Sequence, residues 1–259
     1  MVEIIEIHQI HTILLGIAKE FHKICVRNGI PYFMLGGTML GAIRHKGFIP
    51  WDDDMDFGVP RKYIDRLLDA LHRELPAHLQ VITHLDGFGV VNEIIKITDN
   101  RTIVDETHKE HLSKRMGLFI DVFPLDETNN NWGKFSRNYI YSMLLAINNE
   151  RYYPSNNKIH KILVCLIKII PQSIYFRLIK LLLFDSGEFI SNFSGAYGKK
   201  ETIHKDYFGN PVLYKFHDTY FYGVTNASKY LSCLYNNYMQ LPPISDRQTH
   251  LKGVFWNVK

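Results

Sequence analysis

Apolar side chains recur every three or four residues near the start of the chain, at Ile10, Leu14, Ile17 and Phe21. This spacing matches the turn of an α-helix and predicts a helix over Ile4–Arg27. An Asn-Gly pair follows directly and a proline comes soon after, as is common where a helix ends.

The pattern then changes to short elements separated by glycines. Tyr32–Leu35 is apolar and predicts a short buried strand, and Thr38 is a suitable N-cap for a short helix after it. From Asp54 to Val59 acidic and apolar side chains alternate, which is the period of a strand. Pro60 ends this strand and opens an amphipathic helix.

Further strands are predicted at apolar runs, namely Gln80–His84, Val91–Thr98, Arg101–Glu106 and Leu118–Val122. Beyond Asn129 helical patterns dominate, again including a helix near Ala227–Met239. We therefore predict an α+β fold with a mixed sheet flanked by helices. Residues 1–128 are expected to form a core with its N-terminal helix, and residues 129–259 a mainly helical region packed on that core.

Composition narrows the classes of protein that such elements can form. The 259 residues are 46% hydrophobic and 22% charged, as in ordinary globular proteins. Thirty Lys and Arg against 26 Asp and Glu give a net charge of +4, too weak to indicate a nucleic-acid partner. Cys25, Cys165 and Cys233 have neither zinc nor disulfide spacing and predict buried thiols in a reducing compartment. Because the N-terminus carries no cationic leader, we expect a cytoplasmic protein.

The segment Ile162–Phe184 is strongly apolar, but Lys168 and Arg177 are among the residues that interrupt it, so it does not predict a membrane span. Every charge within Lys158–Lys180 is positive. These helices can belong to the core with solvated lysines, or they can lie peripherally on the anionic inner face of the cell membrane. Both interpretations are open.

The densest cluster of charges contains Asp52, Asp53, Asp54 and Asp56. On a strand, Asp54 and Asp56 share one face while Met55 points to the other. Neighbouring carboxylates repel unless a cation or a proton lies between them, and all-oxygen ligation suits Mg²⁺, Mn²⁺ or Ca²⁺. We expect a divalent-metal site here; a solvated acidic turn is the alternative.

A glycine turn, Gly36-Gly37-Thr38, precedes this cluster. Its amides, the dipole of the helix that follows and the Thr38 hydroxyl would form a cradle for an anion. The spacing fits neither an EF-hand calcium loop nor a Walker phosphate loop. Asp121 is a single charge inside the apolar strand Leu118–Val122, so it is the candidate for a third carboxylate; a hydrogen-bonded structural Asp is the alternative.

Three cations are candidates for stabilising the charge of a transferring group. Arg44 and Lys46 follow the short helix, where the alternative is a pair of surface cations on a turn. Lys96, on the strand Val91–Thr98, is a weaker candidate of the same kind. Asp126 follows Pro124 and is predicted to lie in a turn.

A strand, a Gly-Gly turn, an Asp-x-Asp strand and a third carboxylate resemble the nucleotidyltransferase fold of the DNA polymerase β-like superfamily, although the spacer from Gly37 to Asp54 is longer than usual. Through GGTMLGAIRHKGFIPWDDDMDF, GLFIDVFPLD and the C-terminal YMQLPP, the chain resembles more closely the LicD family. These are the phosphocholine transferases of bacterial surface polysaccharides, to which fukutin-related proteins are more distantly similar. Arg247 and His250 match the family's C-terminal signature. Asn237 replaces an acidic residue of the family, so no catalytic role is expected there.

The resemblance implies a CDP-activated alcohol, typically CDP-choline, as donor, and a sugar hydroxyl of a glycan as acceptor. That glycan would be a lipopolysaccharide, a teichoic acid or another cell-wall polysaccharide, often lipid-linked, and CMP would be released. Two Mg²⁺ or Mn²⁺ ions are implied, held by Asp54, Asp56 and Asp121, with Asp121 also as general base. The other residues expected to serve the donor are Arg44 in catalysis, and Gly36, Gly37, Thr38, Lys46 and Lys96 in binding.

Two other functions are compatible with the same residues. A true nucleotidyltransferase would use this site but attack the phosphorus bonded to the nucleoside. A non-catalytic module would bind metal and nucleotide without turnover. The HKEH run at residues 108–111 matches no zinc-protease motif and predicts an exposed loop.

Overall fold

The structure is a computed structural model that describes residues 5–106, 115–150, 158–184, 186–247, 249 and 251–257. The HKEH run and His250 lie outside these residues. The helices are α1 (Ile7–Arg27), α2 (Gly36–Arg44), α3 (Ile64–Glu74), α4 (Arg137–Asn149), α5 (Lys158–Lys168), α6 (Gln172–Ile179), α7 (Lys205–Phe208) and α8 (Ala227–Tyr235). The strands are β1 (Phe33–Met34), β2 (Asp56–Pro60), β3 (Leu79–Ile82), β4 (Ile95–Asp99), β5 (Thr102–Glu106), β6 (Leu118–Thr128), β7 (Phe189–Ser191), β8 (Thr202–His204), β9 (Val212–Phe216), β10 (Thr219–Gly223) and β11 (Leu251–Trp256).

The main sheet is mixed and has β6 at its centre. Its strands follow the order β1-β2-β6-β4-β3; β7 pairs with the last three residues of β6, and β8 pairs with β7. β2 pairs with β6 in parallel, whereas β4 pairs with β6 antiparallel. The predicted combination of a mixed sheet with helices is thus confirmed. The C-terminal half contains the strands β7–β11 in addition to helices. Its helical sequence patterns did not predict these strands.

Helix α1 packs on this sheet through the apolar stripe that its sequence predicts. Leu14, Ile17 and Phe21 are almost fully buried, and the Phe21 ring lies 5.0 Å from the ring of Phe57 on β2. Burial of such side chains stabilises a fold by about 1.5–3 kcal/mol each. The packing fixes β2, the strand that begins at Asp56.

Helices α4, α5 and α6 form a second apolar cluster beside the sheet, with Tyr141, Tyr175 and Phe176 at its centre. A bridge of charges joins this cluster to the sheet: Arg61 pairs with Asp126 of β6 and with Glu93 (2.6 Å). Lys180, just after α6, pairs with the same glutamate, Glu93, at 2.5 Å. In the described residues no single helix is long and apolar enough to cross a membrane. The bent pair 161–168 and 172–182 satisfies the length and composition criteria only when its two helices are taken together.

Three local predictions were wrong. Asp126 lies inside β6, buried and paired with Arg61, because β6 continues past Pro124 and finds β7 as a new partner. Thr38 is not the N-cap, since α2 already begins at Gly36. Cys165 and Cys233 are exposed, and only Cys25 among the three cysteines is buried.

Candidate active site

A cavity of about 710 Å³ opens at the N-terminal end of α2. One wall consists of Gly36, Gly37, Asp52, Asp54 and Asp56. Met55 and Phe57 are fully buried on the other side of this segment, so the alternation predicted for it is confirmed although β2 itself begins at Asp56. Two carboxylates two positions apart therefore point into one space.

Strand register brings the third predicted carboxylate beside the second. Asp56 of β2 lies opposite Asp121 of β6, and Asp121 in turn lies opposite Lys96 of β4. The Lys96 ammonium donates to both Asp121 oxygens, at 2.6 and 2.9 Å, and lies 3.4 Å from the ring centre of Phe119. A row of two acids and one base thus crosses three strands.

The carboxyl group of Asp56 sits in an unfavourable place for a charge. Burial raises its pKa well above the usual range, and the negative charges of Asp54, Asp121 and Asp52 raise it further. The positive charge of Lys96 lowers the pKa of Asp56, but by less than burial and the other carboxylates raise it. Such a group takes up a proton or binds a cation, because either relieves the repulsion.

Hydrogen bonds fix the start of α2 to this acidic strand and to α8. The Asp56 amide donates to the Thr38 hydroxyl oxygen (2.8 Å), and the Gly36 amide donates to the hydroxyl oxygen of Tyr230 on α8 (3.1 Å). Gly36 has a φ of +47°, a conformation that disfavours a side chain. A Cβ on Gly37 would lie 2.7 Å from an oxygen of Asp52, so both glycines keep this end of the helix open.

The two cations predicted near α2 are placed differently. Arg44 lines the cavity, where its guanidinium donates to the backbone oxygens of Tyr238 (2.8 Å) and Gln240 (3.4 Å). Arg44 thereby holds the opposite wall in place. Lys46 is exposed on the turn after α2, outside the cavity lining, and its backbone oxygen accepts from the His217 amide.

The opposite wall was not predicted from the sequence. It includes Tyr197, Tyr235, Tyr238 and Asp246, and Asn237 also lines it. The rings of Tyr197 and Tyr235 lie edge to face with centres 5.3 Å apart. A signal existed in the many aromatic residues of the C-terminal half, but their spacing shows no period that separates cavity residues from core residues.

Arg247, from the C-terminal signature, packs just outside this wall. Its guanidinium lies 4.6 Å from the ring centre of Trp51 and donates to the Pro242 oxygen at 3.1 Å. Trp51 itself lines the cavity next to the acidic cluster. Arg247 therefore connects the C-terminal segment with the acidic loop, a structural reason for its presence that the sequence did not supply.

The donor chemistry of the first wall fits a hard divalent cation. Asp54 and Asp56 offer carboxylate oxygens to one space, and Asp56 is destabilised as a bare anion. Within the described part of the chain, no three His, Cys, Asp or Glu side chains form a group that could hold a metal ion as they stand. Asp121 is occupied by Lys96. The metal site therefore remains a prediction, and Asp54 and Asp56 are its best-placed ligands.

Fold and site together define a protein with a mixed sheet flanked by helices and an acidic cavity beside a helix N-terminus. Residues 29–154 match the family described as LicD/FKTN/FKRP, nucleotidyltransferase domain. The chain is 26% identical over 253 residues to the lipopolysaccharide cholinephosphotransferase LicD of Haemophilus influenzae, covering 92% of this chain and 93% of that protein. It is also 46% identical over 158 residues to an uncharacterized protein of Rickettsia prowazekii, covering 56% of this chain and 55% of that one. The LicD family model thus matches the domain at residues 29–154, and the similarity to the Haemophilus influenzae protein extends over most of the chain.

Proposed function

We propose that the protein is a phosphotransferase that moves phosphocholine, or a similar phospho-alcohol, from a CDP-activated donor to a sugar hydroxyl of a cell-surface glycan. Support comes from the similarity, over 92% of the chain, to a protein named as a lipopolysaccharide cholinephosphotransferase. The observation that carries the proposal is the pair Asp54 and Asp56 on the wall of one cavity. About 710 Å³ lies within the range of pockets that bind small molecules, roughly 300–1,000 Å³.

The first wall is assigned to the diphosphate of the donor. Asp54 and Asp56, with Asp121 as the third proposed ligand, would hold Mg²⁺ or Mn²⁺, which when bound would offset the charge of the phosphates. Gly36 and Gly37 leave room for the phosphates at the N-terminal end of α2, where the helix dipole favours an anion. Because these carboxylates and glycines all lie within residues 1–128, we also assign the nucleotidyltransferase fold to that part of the chain.

In the proposed reaction, a sugar hydroxyl oxygen attacks the phosphorus that carries the alcohol. A new oxygen–phosphorus bond forms, the bond from that phosphorus to the bridging oxygen breaks, and CMP leaves with the electron pair. The hydroxyl proton passes to a base, a role we assign to Asp121. Lys96 holds the Asp121 carboxylate in line with Asp56.

The test is incubation with CDP-choline, Mg²⁺ and a lipopolysaccharide oligosaccharide, with CMP and modified glycan measured together. The double variant Asp54→Asn, Asp56→Asn should lose CMP release, and chelation of the metal should have the same effect. The matched control is Asp65→Asn, Asp69→Asn, two exposed carboxylates on α3. CMP release that survives in the first variant would refute the proposal.

The family description favours one further reaction, true nucleotidyl transfer. It would use the same carboxylates, but the acceptor would attack the phosphorus bonded to the nucleoside. Mass spectrometry of the glycan distinguishes the two, because the acceptor would then carry CMP and phosphocholine would be released. Donor binding without turnover on any acceptor would indicate a non-catalytic module.

A further inference from the structure

Helices α5 and α6 expose apolar side chains on the side away from the core. These are Ile162 and Leu166 on α5 and Ile169 directly after it, which are spaced four and three residues apart and therefore share one face. The same spacing recurs at Ile174, Leu178 and Leu181, on α6 and the turn that follows it. We call these six residues the outer stripe. They are between 48% and 82% exposed.

The other faces of the two helices already serve the core. Tyr175, Phe176 and Ile179 of α6 are buried in the second apolar cluster, and Ile167 and Ile170 pack against it. A helix that is apolar on its inner face and again on its outer face differs from an ordinary surface helix, whose outer face is polar. If α5 and α6 were only core helices with solvated lysines, that would explain their apolar inner faces but not their apolar outer faces. The outer stripe therefore needs another environment.

The charges beside the outer stripe identify that environment. Lys161 and Lys168 are exposed on α5, and Arg177 is exposed on α6. Between Lys158 and Lys180 the sequence contains no acidic residue. Aliphatic side chains flanked only by long cations are the composition of helices that lie in the headgroup region of anionic bilayers.

The arrangement of the helices favours lying on a bilayer over crossing it. The axes of 161–168 and 172–182 are bent by 111° relative to each other, and the break between them follows Lys168 directly. A bent pair of this length cannot follow a straight path through a hydrocarbon core about 30 Å thick. Lys180 is meanwhile tied to Glu93, which anchors the pair to the sheet.

We propose that the outer stripe and its flanking cations bind the surface of an anionic lipid bilayer. None of the outer-stripe residues lines the cavity, so membrane binding and catalysis are separable. Arg61, which shares Glu93 with Lys180, follows β2 directly. Five residues of strand, at about 3.3 Å each, place it roughly 17 Å from Asp56, so a bound bilayer would lie near the cavity.

The full chain should co-sediment with vesicles of phosphatidylcholine containing phosphatidylglycerol and not with phosphatidylcholine alone. Binding should fall as salt is raised well above 0.1 M, where screening lengths are already about 10 Å. Equal binding, or none, to both kinds of vesicle would overturn the proposal. So would a dimer in analytical ultracentrifugation that the outer-stripe variant dissociates, because a second copy of the chain would then cover the stripe.

The apolar contribution is tested by Ile162→Gln, Leu166→Gln, Ile169→Gln in one chain. These side chains are exposed, so the variant should fold as the wild type does, and its binding to anionic vesicles should fall at least tenfold. The matched control exchanges three exposed apolar residues elsewhere on the surface, Val26→Gln, Leu85→Gln and Leu213→Gln. Equal losses in the two variants would contradict a specific outer-stripe contact.

The charge contribution is tested by Lys161→Gln, Lys168→Gln, Arg177→Gln. Each Lys or Arg near an anionic surface raises partitioning by roughly fivefold, so three together should account for about a hundredfold. The control removes three exposed lysines elsewhere, namely Lys62, Lys205 and Lys215.

A fluorophore on the exposed Cys165, in a chain with Cys233→Ser, reports contact with the bilayer directly: its emission should shift to the blue only with anionic vesicles. An unchanged spectrum during binding would place the contact on another surface and contradict the proposal.

Discussion

At the scale of single residues, the candidate site contains a buried pair of opposite charges, and removing only one of them should destabilise the fold. Lys96 is buried and its ammonium contacts both oxygens of Asp121, whose side chain is also mostly buried. The free energy lost when such a pair is removed from water offsets much of the attraction between its two charges. Loss of one partner is therefore more harmful than loss of both, because the remaining charge has no counterion.

This asymmetry gives a double-mutant cycle. Lys96→Gln should lower the free energy of unfolding by about 3 kcal/mol, since it leaves Asp121 and Asp56 as neighbouring acids. Adding Asp121→Asn should recover a large part of that loss, with a coupling energy of about 3 kcal/mol or more. Urea denaturation of the four proteins measures the cycle. Additive effects would show that the two side chains do not interact energetically.

Glu201 is a buried acid that the proposed reaction does not use. Its carboxylate accepts from the Tyr197 amide at 2.9 Å, next to the aromatic wall of the cavity. Burial raises the pKa of Glu201 to about 7 against the ordinary 4.5, although the hydrogen bonds from the Tyr197 amide and the Asn192 side chain lower it. The folded state therefore favours the neutral acid.

The raised pKa determines how stability depends on pH. The contribution of Glu201 to stability is full below pH 4.5 and is lost as the pH rises through about 7. Glu201→Gln keeps an oxygen acceptor and cannot ionise, so above pH 7 it should be more stable than the wild type by about 3 kcal/mol. Thermal unfolding of both proteins between pH 4.5 and 8 measures the difference. A difference that stays constant with pH would show that Glu201 does not titrate in this range.

At the scale of elements, the predictions succeeded where one face is buried and one period persists. Helix α1 and the alternation into β2 follow from their apolar spacing. The hairpin of β9 and β10 was missed, although Val212–Phe216 and Thr219–Gly223 are rich in β-formers and only two residues separate them. Its turn uses His217 at a φ of +53° instead of the usual Asn-Gly. The pairing of Lys96 with Asp121 depends on strand register, which single segments do not encode.

Glycines inside two helices allow a matched prediction about packing. Gly41 of α2 is buried, and a Cβ there would lie 2.5 Å from the backbone oxygen of Gly47. Gly16 of α1 is exposed and has nothing within 4 Å of the same position. Gly41→Ala should therefore destabilise the fold by about 1–3 kcal/mol through overpacking, whereas Gly16→Ala should stabilise it by up to about 1 kcal/mol. Chemical denaturation compares them; equal effects would mean that the turn after α2 yields to the added methyl group.

At the scale of the whole molecule, the cavity is assembled from parts of the chain that are far apart. Its acidic wall comes from residues 36–56 and its aromatic wall from residues 196–246. The sequence placed the catalytic chemistry in the first wall and predicted no role for the second. Contacts such as that of the Gly36 amide with Tyr230 join residues 194 positions apart, and no local pattern indicates them. The proposed core over 1–128 would hold the carboxylates without closing the cavity.

The C-terminal strand β11 is another distant part of the chain that contacts the acidic loop. β11 pairs with β5, the Ile5 amide donates to Val254 (2.8 Å), and the Leu251 amide donates to the buried Asp53 (2.9 Å). Deleting residues 248–259 removes these bonds and the burial of Val254. It should lower the free energy of unfolding by at least about 3 kcal/mol, because the buried Asp53 loses the Leu251 amide and β5 loses its partner strand. Deleting only residues 258–259 is the control. Since Asp53 adjoins Asp54, donor binding should weaken in the longer deletion at temperatures where it is still folded; unchanged binding would show that the loop is held without β11.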